Sequence, residues 1–316
     1  MGGPDRSAAA IEELLEELRP RAFAIAYRML GSVSEAEDVV QEGLLRLHRE
    51  LDSGTEIASP GAFLATVVTR LSIDELRSAR ARRETYVGEW LPEPVITDPA
   101  SDPAAQAEMA DSLSTAFLVL LESLSPEQRA AFLLREVFDY PYDEIAEIVG
   151  RNETTARQLV SRARRHVGEG RPRFEVSREE GQRLAERFID AAAGGDLEAL
   201  EAVLAEDVSL HGDGGGKVPA LARALYGRSR VAKTIRNWGR QLSRLEGVRF
   251  EPAEVNGGPG ARTVDAEGRL LSVIAFDVAE GKIQAVNSVV NPDKLRHLGE
   301  LADAGSLFRR LRSAQR

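Results

Sequence analysis

The sequence predicts a multidomain protein: two all-α modules joined by a linker, then an α+β domain with a curved antiparallel sheet. Three observations predict it. Apolar residues recur at helical spacing from about residue 11 to 83, and again from about 106 to 167. A proline-containing stretch with little periodicity separates these regions. Beyond Gly247, valine and phenylalanine alternate with polar residues between glycine-rich turns, which is strand spacing. The domain assignment that follows is 1–85, 86–108 as linker, 109–171, 174–300, and a basic tail 301–316, which 316 residues accommodate.

Ile11, Leu14, Leu15 and Leu18 share one helix face; Phe23, Ala26, Tyr27 and Leu30 continue it, and Gly31 ends it. Ser34 with Glu37 reads as a capping box opening a helix that buries Ala36, Val39, Val40, Leu44 and Leu47. Residues 52–59 read as a loop. Ser59-Pro60 is an N-cap followed by proline at the first helical position, and the next helix buries Phe63, Leu64, Val67, Val68 and Leu71 before an arginine cluster. In the linker, Tyr86, Trp90 and Leu91 are too apolar for a free tether and are expected to dock. Helical pattern returns at about 106–124. Ser125-Pro126-Glu127-Gln128 opens three helices, roughly 126–137, 142–149 and 152–167. The last two flank the tight turn Gly150-Arg151-Asn152, which is helix-turn-helix spacing. Helices at about 177–193 and 197–204 follow, then strands that include 270–278 and 283–290 around a Glu280-Gly281 turn.

Composition sets bounds. With 43% hydrophobic and 29% charged residues, the chain has enough apolar surface for cores, which excludes disorder as a description of the whole. No apolar run reaches the roughly 18 residues of a membrane helix, and the acidic first 18 residues read as neither signal nor transit peptide. The absence of cysteine excludes disulfides and thiolate chemistry and suits a reducing cytoplasm. His48, His166, His211 and His297 show no metal spacing, so no metal or cofactor is expected. The net charge of −10 argues mildly against nucleic acid. The basic residues cluster, however, at Arg70–Arg83 and Arg151–Arg173.

The helix at 152–167 carries the most information. Ala156, Leu159, Val160, Ala163 and Val167 form its buried stripe; Glu153, Thr154, Arg157, Gln158, Ser161, Arg162 and Arg165 form the other face. Arginine pairs with guanine, glutamine with adenine, and hydroxyls with phosphates, so this face suits a major groove. A solvated arginine-rich face is the bland alternative, and the preceding turn favours DNA. The acidic face Glu37, Asp38, Gln41 and Glu42 is by default solvated surface, and the basic end of the 60–83 helix by default favours the helix dipole.

Four runs in this order resemble the extracytoplasmic-function sigma factors of bacterial RNA polymerase. They are residues 31–42 (GSVSEAEDVVQE), 74–80 (DELRSAR), 124–129 (LSPEQR) through Tyr142-Asp143-Glu144-Ile145-Ala146, and 160–164 (VSRAR). Three further runs resemble a subgroup fused to a SnoaL-like C-terminal domain: Trp90-Leu91-Pro92-Glu93-Pro94, Asp213-Gly214-Gly215-Gly216-Lys217 and Asn291-Pro292-Asp293-Lys294-Leu295. The resemblance implies that Asp38, Gln41 and Glu42 bind the β′ clamp helices of core polymerase, which also offers its β subunit as a partner. It implies minus-ten recognition by Asp74, Arg77 and Arg80 with Arg70, Arg82 and Arg83 on phosphates, and minus-thirty-five recognition by Arg157, Gln158 and Arg162 with Thr154, Ser161 and Arg165 supporting. A tryptophan common near the start of the basic helix is here Phe63, whose spacing groups it with the core face, which leaves open which residue captures a flipped base, the 52–59 loop being a candidate. The three fused-subgroup runs with Tyr86 are the expected regulatory interface, standing in for a separate anti-sigma factor. SnoaL-like folds also include isomerases; His211, Asp213 and Trp238 are candidates for such a pocket, or for an unknown small ligand's site, without a catalytic signature. The competing readings are a helix-turn-helix regulator fused to an isomerase-like or small-molecule-binding domain, and a repressor that acts without polymerase.

Overall fold

The computed structural model describes residues 8–83, 86–97, 113–170 and 177–306. The side chains of Arg80, Arg82 and Arg83, residues 98–112 with Pro99 and Pro103, the Arg171-Pro172-Arg173 run and the tail from 307 lie outside the described residues. The chain forms two compact units. Residues 1–84 with 120–170 make one, and 85–119 with 171–316 make the other.

The first unit opens with α1 (Ala8–Leu30), α2 (Val33–Asp52) and α3 (Pro60–Arg83). Gly31 ends α1 at φ 66°, and its N–H reaches the Tyr27 carbonyl at 2.7 Å. Ser32, not Ser34, caps α2 by accepting the Glu35 N–H at 3.2 Å. Gly31 has already turned the chain, so extended Ser32 is the last residue before helical geometry begins. Ser59 caps α3 through the Ala62 N–H. Ile25, Ala26, Leu30, Val40, Leu47 and Val68 are fully buried.

Helix α4 (Thr115–Leu121) straddles the boundary between the units; α5 (Pro126–Glu136), α6 (Tyr142–Ile148) and α7 (Glu153–Gly170) complete the first. The Ser125/Gln128 capping box opens α5 with both bonds formed. Gly150 at φ 66° makes the turn from α6, and Asn152 caps α7 through the Thr155 N–H at 2.8 Å. Two arginines tie these helices to the first three. Arg129 is fully buried and donates to the Leu121 carbonyl (2.9 Å), to Glu122 (2.5 Å) and to the Met29 carbonyl of α1. Burial lowers its pKa to about 9, and the guanidinium remains charged at neutral pH among three acceptors. Arg70 on α3 donates to the carbonyls of Glu147 (2.8 Å) and Ile148 (3.1 Å) at the C-terminal end of α6.

The second unit is built on α8 (Arg178–Gly194), α9 (Leu197–Val203), β1 (Leu204–Asp213), β2 (Leu225–Tyr226), α10 (Arg228–Leu242), β3 (Arg249–Val255), β4 (Gly258–Val264), β5 (Leu270–Ala279) and β6 (Lys282–Val289). The sheet order is β2-β1-β6-β5-β4-β3. Every pairing is antiparallel except β1 with β6, which is parallel and makes the sheet mixed. Strand β1 and helix α10 are absent from the periodicity reading. The β1 segment follows α9 with no intervening turn residue, so nothing in the local pattern marks the change. Both hairpin turns, Asn256-Gly257 and Glu280-Gly281, take positive φ at both positions, as tight hairpins require.

The two sheet faces differ. One packs on the helices through Phe188, Leu200, Leu210, Val231, Phe276 and Val286, and opens into a cavity of about 360 Å3. The other buries Val255, Val264, Val273, Val289 and Leu295 against Leu91 of the linker.

Candidate regulatory grip and nucleic-acid face

Asp213 ends β1 with no solvent exposure. Its carboxylate is the meeting point of three sequence runs. One oxygen accepts from the Tyr86 hydroxyl (2.5 Å) and the Gly215 N–H (3.0 Å). The other accepts from the Leu91 N–H (2.9 Å) and the Lys294 ammonium (2.7 Å). Lys294, itself buried, also donates to the Leu91 carbonyl and sits 4.2 Å from the Trp90 ring centroid and 5.0 Å from that of Tyr86. Burial and the neighbouring carboxylate push the Tyr86 phenol well above its ordinary pKa, so it stays a donor. Asn291 donates to the Tyr86 oxygen at 2.9 Å, and Lys217 pairs with Asp293 nearer the surface. The glycines have a steric reason here: a Cβ on Gly214 would lie 2.1 Å from the Val218 carbonyl oxygen, and one on Gly215 2.2 Å from the Asn291 amide.

The linker continues along the same sheet. Asn256 and Val95 exchange two hydrogen bonds, at 2.7 and 2.8 Å, and Ile96 bridges Val255. Thr97 donates to Glu254, Glu89 meets His211 at 2.7 Å, and the Pro94 carbonyl meets His297 at 2.8 Å. Pro92, Glu93 and Pro94 are buried with Leu91. Residues 86–97 are thus a bound strap, not a free tether. Asn256, Glu254, His211 and His297 were missed as its partners by sequence reasoning, as was Glu89 as the strap residue that meets His211. The Asn256-Gly257 hairpin signal marks the turn that presents Asn256, and nothing in the sequence links it to Val95.

A second grip uses Asp277 on β5. It is buried and accepts from the Asn287 side chain (2.9 Å) and from the Ala116 N–H near the start of α4. Burial raises its pKa to about 6, against these two donors and the nearby His211.

In the first unit, Thr154, Arg157, Gln158, Ser161, Arg162 and Arg165 all lie exposed along α7, with Ala156, Val160, Ala163 and Val167 buried beneath. Arg157 pairs with Glu153 at 2.5 Å and stacks 4.2 Å from the Tyr142 ring centroid. On α3, Arg77 pairs with Asp74 (3.0 Å) and Glu127 (2.6 Å). On α2, Asp38 and Gln41 are exposed, while Glu42 is half-buried and paired with Arg46.

Comparison with known proteins matches residues 14–82 to the Sigma-70 region 2 family and residues 114–167 to Sigma-70, region 4. The chain is 40% identical to the ECF RNA polymerase sigma factor SigJ of Mycobacterium tuberculosis, over 88% of this chain and 91% of that one. It is 32% identical to the probable ECF sigma factor SigI of the same species, over 87% and 92%. The crystal structure of SigJ superposes with a TM-score of 0.72 at 37% identity, covering 90% of this chain and 98% of that chain. This chain belongs to the ECF RNA polymerase sigma factors.

As an ECF sigma factor it is an alternative specificity subunit for transcription initiation, and the family implies core RNA polymerase and promoter DNA as partners. Sigma region 2 spans α1–α3, region 4 runs from α4 to α7, and the C-terminal domain, here called the cone, is built on the six-stranded mixed sheet. No described helix of this sigma factor is long and apolar enough to cross a membrane. One expectation about the cone needs correction. Trp238 lines the cavity, but His211 and Asp213 do not: they point to the strap side of β1, while Leu210 and Gly212 face the cavity. The alternation of side chains along a strand puts neighbours on opposite faces.

Proposed function

We propose that the cone regulates this sigma factor in cis by holding the 86–97 strap, in place of a separate anti-sigma factor. Asp213 carries the reading. A single buried carboxylate accepts from the linker, from its own glycine loop and from the Asn291–Leu295 segment together. The strap belongs to the segment joining region 2 to region 4, so its release frees the tether between the two DNA-reading modules. Two modest DNA modules act together when a tether lets both engage, because linkage raises effective concentration. On this reading Asp38, Gln41 and Glu42 meet the β′ clamp helices. Asp74, Arg77, Arg80 and Arg70 serve the minus-ten element, the exposed α7 face serves the minus-thirty-five element, and the protein works in the cytoplasm. The cone acts as a regulator and not as an enzyme. What supports this is a cavity wall whose described residues include no acid, base or nucleophile beyond two serines and a threonine.

The test is a titration of core RNA polymerase with three full-length proteins. Asp213→Asn is expected to bind at least tenfold more tightly than wild type, and Asp38→Ala more weakly. Equal affinity of Asp213→Asn and wild type would refute control through the strap. Equal affinity of Asp38→Ala would move the polymerase face elsewhere on the unit.

A further inference from the structure

We infer that the cone's cavity is a sensor site for an uncharged, mostly apolar molecule with one or two hydrogen-bonding groups, and that the strap grip on the opposite sheet face reads its occupancy. The second half rests on the cis-regulation reading; the first does not.

The ligand class follows from the wall. A volume of about 360 Å3 falls in the range of small-molecule sites. Phe188, Trp238, Phe250 and Ile274 supply apolar surface, and no charged side chain lines it among the described residues. An ionised ligand would be buried without a counter-charge, which is strongly unfavourable. Polar groups on the wall are few. Ser272 donates to Thr263 at 2.9 Å, which uses one of that pair's two hydroxyl protons. The side chains of Ser288 and Gln241 make no hydrogen bond among the described residues. The wall therefore matches a hydrophobic body with a hydroxyl or carbonyl and lacks a group for proton transfer.

The readout follows from two strands. On β1, Leu210 and Gly212 face the cavity, while His211 and Asp213 face the strap. On β6, Val286 and Ser288 face the cavity, while Val289 packs under Leu91. The Asp213 carbonyl accepts the N–H groups of Val290 (2.9 Å) and Asn291 (3.0 Å), joining the ends of both strands. Pro219, Ala220 and Leu221 of the wall follow the glycine loop that Asp213 opens, with only Val218 between. Close packing transmits displacement across a single strand layer. The cavity and the closed grip are present together in the structure; a ligand that binds this state more tightly than the released one favours closure, and the coupling is reciprocal.

The probe is 1-N-phenylnaphthylamine, an uncharged fluorophore, compared with its anionic relative 8-anilinonaphthalene-1-sulfonate on the full-length protein. Saturable binding of the neutral probe is expected, at least tenfold tighter than the sulfonate. Ser288→Phe, which fills the cavity, and Ala220→Phe, at its exposed mouth, are each expected to weaken it at least tenfold. If Ser288→Phe melts early, Ala220→Phe on the surface loop decides. No saturable binding, equal affinity for the sulfonate, or unchanged affinity in a folded variant would overturn the site. Asp213→Asn is expected to weaken the neutral probe at least threefold, and an unchanged affinity would overturn the readout. The same variant's affinity for core polymerase tests the cis-regulation reading independently, so the two failures are distinguishable.

Discussion

The strap grip and the α7 face both rely on charged side chains, and they use them in opposite ways. Lys294 and Asp213 are buried, with side-chain exposures of 7% and 0%; the carboxylate accepts from Tyr86, Leu91, Gly215 and Lys294, and the ammonium donates to Asp213 and the Leu91 carbonyl. Arg157 and Glu153 are exposed, at 58% and 49%, and screened by water. Removing one partner of a buried pair strands the other, whereas exposed pairs contribute little and exchange readily. The grip is therefore suited to holding a state, and the α7 face to trading its intramolecular partners for DNA.

The sharpest way to break this comparison is Asp213→Ala. It leaves the Lys294 ammonium buried and removes the acceptor of Tyr86 and Leu91, and is expected to cost about 3–5 kcal/mol. Denaturant unfolding, with proteolysis at the strap as a second readout, checks it. A loss below about 1 kcal/mol would mean that the grip behaves like a surface pair.

Asp277 tests the same contrast through pH. Its folded pKa of about 6 lies above the ordinary carboxylate value of 3.8, so the folded state holds the proton more tightly. Stability is then greatest below about pH 4 for this group and falls as pH rises toward 6, by on the order of 3 kcal/mol. Asp277→Asn is expected to remove that slope in a series of thermal melts and to raise stability at pH 7. An unchanged slope would locate the titration in another group.

The smallest effect on stability is expected at Arg157. Arg157→Ala is expected to change unfolding free energy by no more than about 0.5 kcal/mol, because the ion pair is exposed. The same substitution is expected to alter preference at one minus-thirty-five base position by about 1–3 kcal/mol, as promoter-variant transcription would report. A large stability loss with an unaltered promoter profile would reverse the roles assigned to the two regions.

Much of the fold was legible because its signals are local. Ser125-Pro126-Glu127-Gln128 forms both capping-box bonds, and Gly31 and Gly150 take the left-handed geometry that ends or turns a helix. Of the α7 stripe, Ala156, Val160, Ala163 and Val167 are buried as its spacing predicts, and Leu159 at its edge is half-buried. Where a competing local choice existed, the reading slipped, as with the α2 cap at Ser32 instead of Ser34. Of the grip, sequence reasoning supplied Tyr86 from the apolar character of the linker, and the Trp90–Pro94 run, the Asp213 loop and the Asn291 segment through the resemblance, without their contacts.

Those contacts span up to 205 residues of sequence, from Tyr86 to Asn291, and no periodicity encodes a pairing at that distance. Helix ends, turns and buried stripes depend on neighbours within a few residues, so the sequence alone determined them. Which face of β1 received Asp213, that the strap lies on the sheet, and that Arg129 and Arg70 tie region 4 to region 2 depend on how whole elements pack. Packing is decided by burial summed over many distant residues, and only the tertiary structure performs that sum.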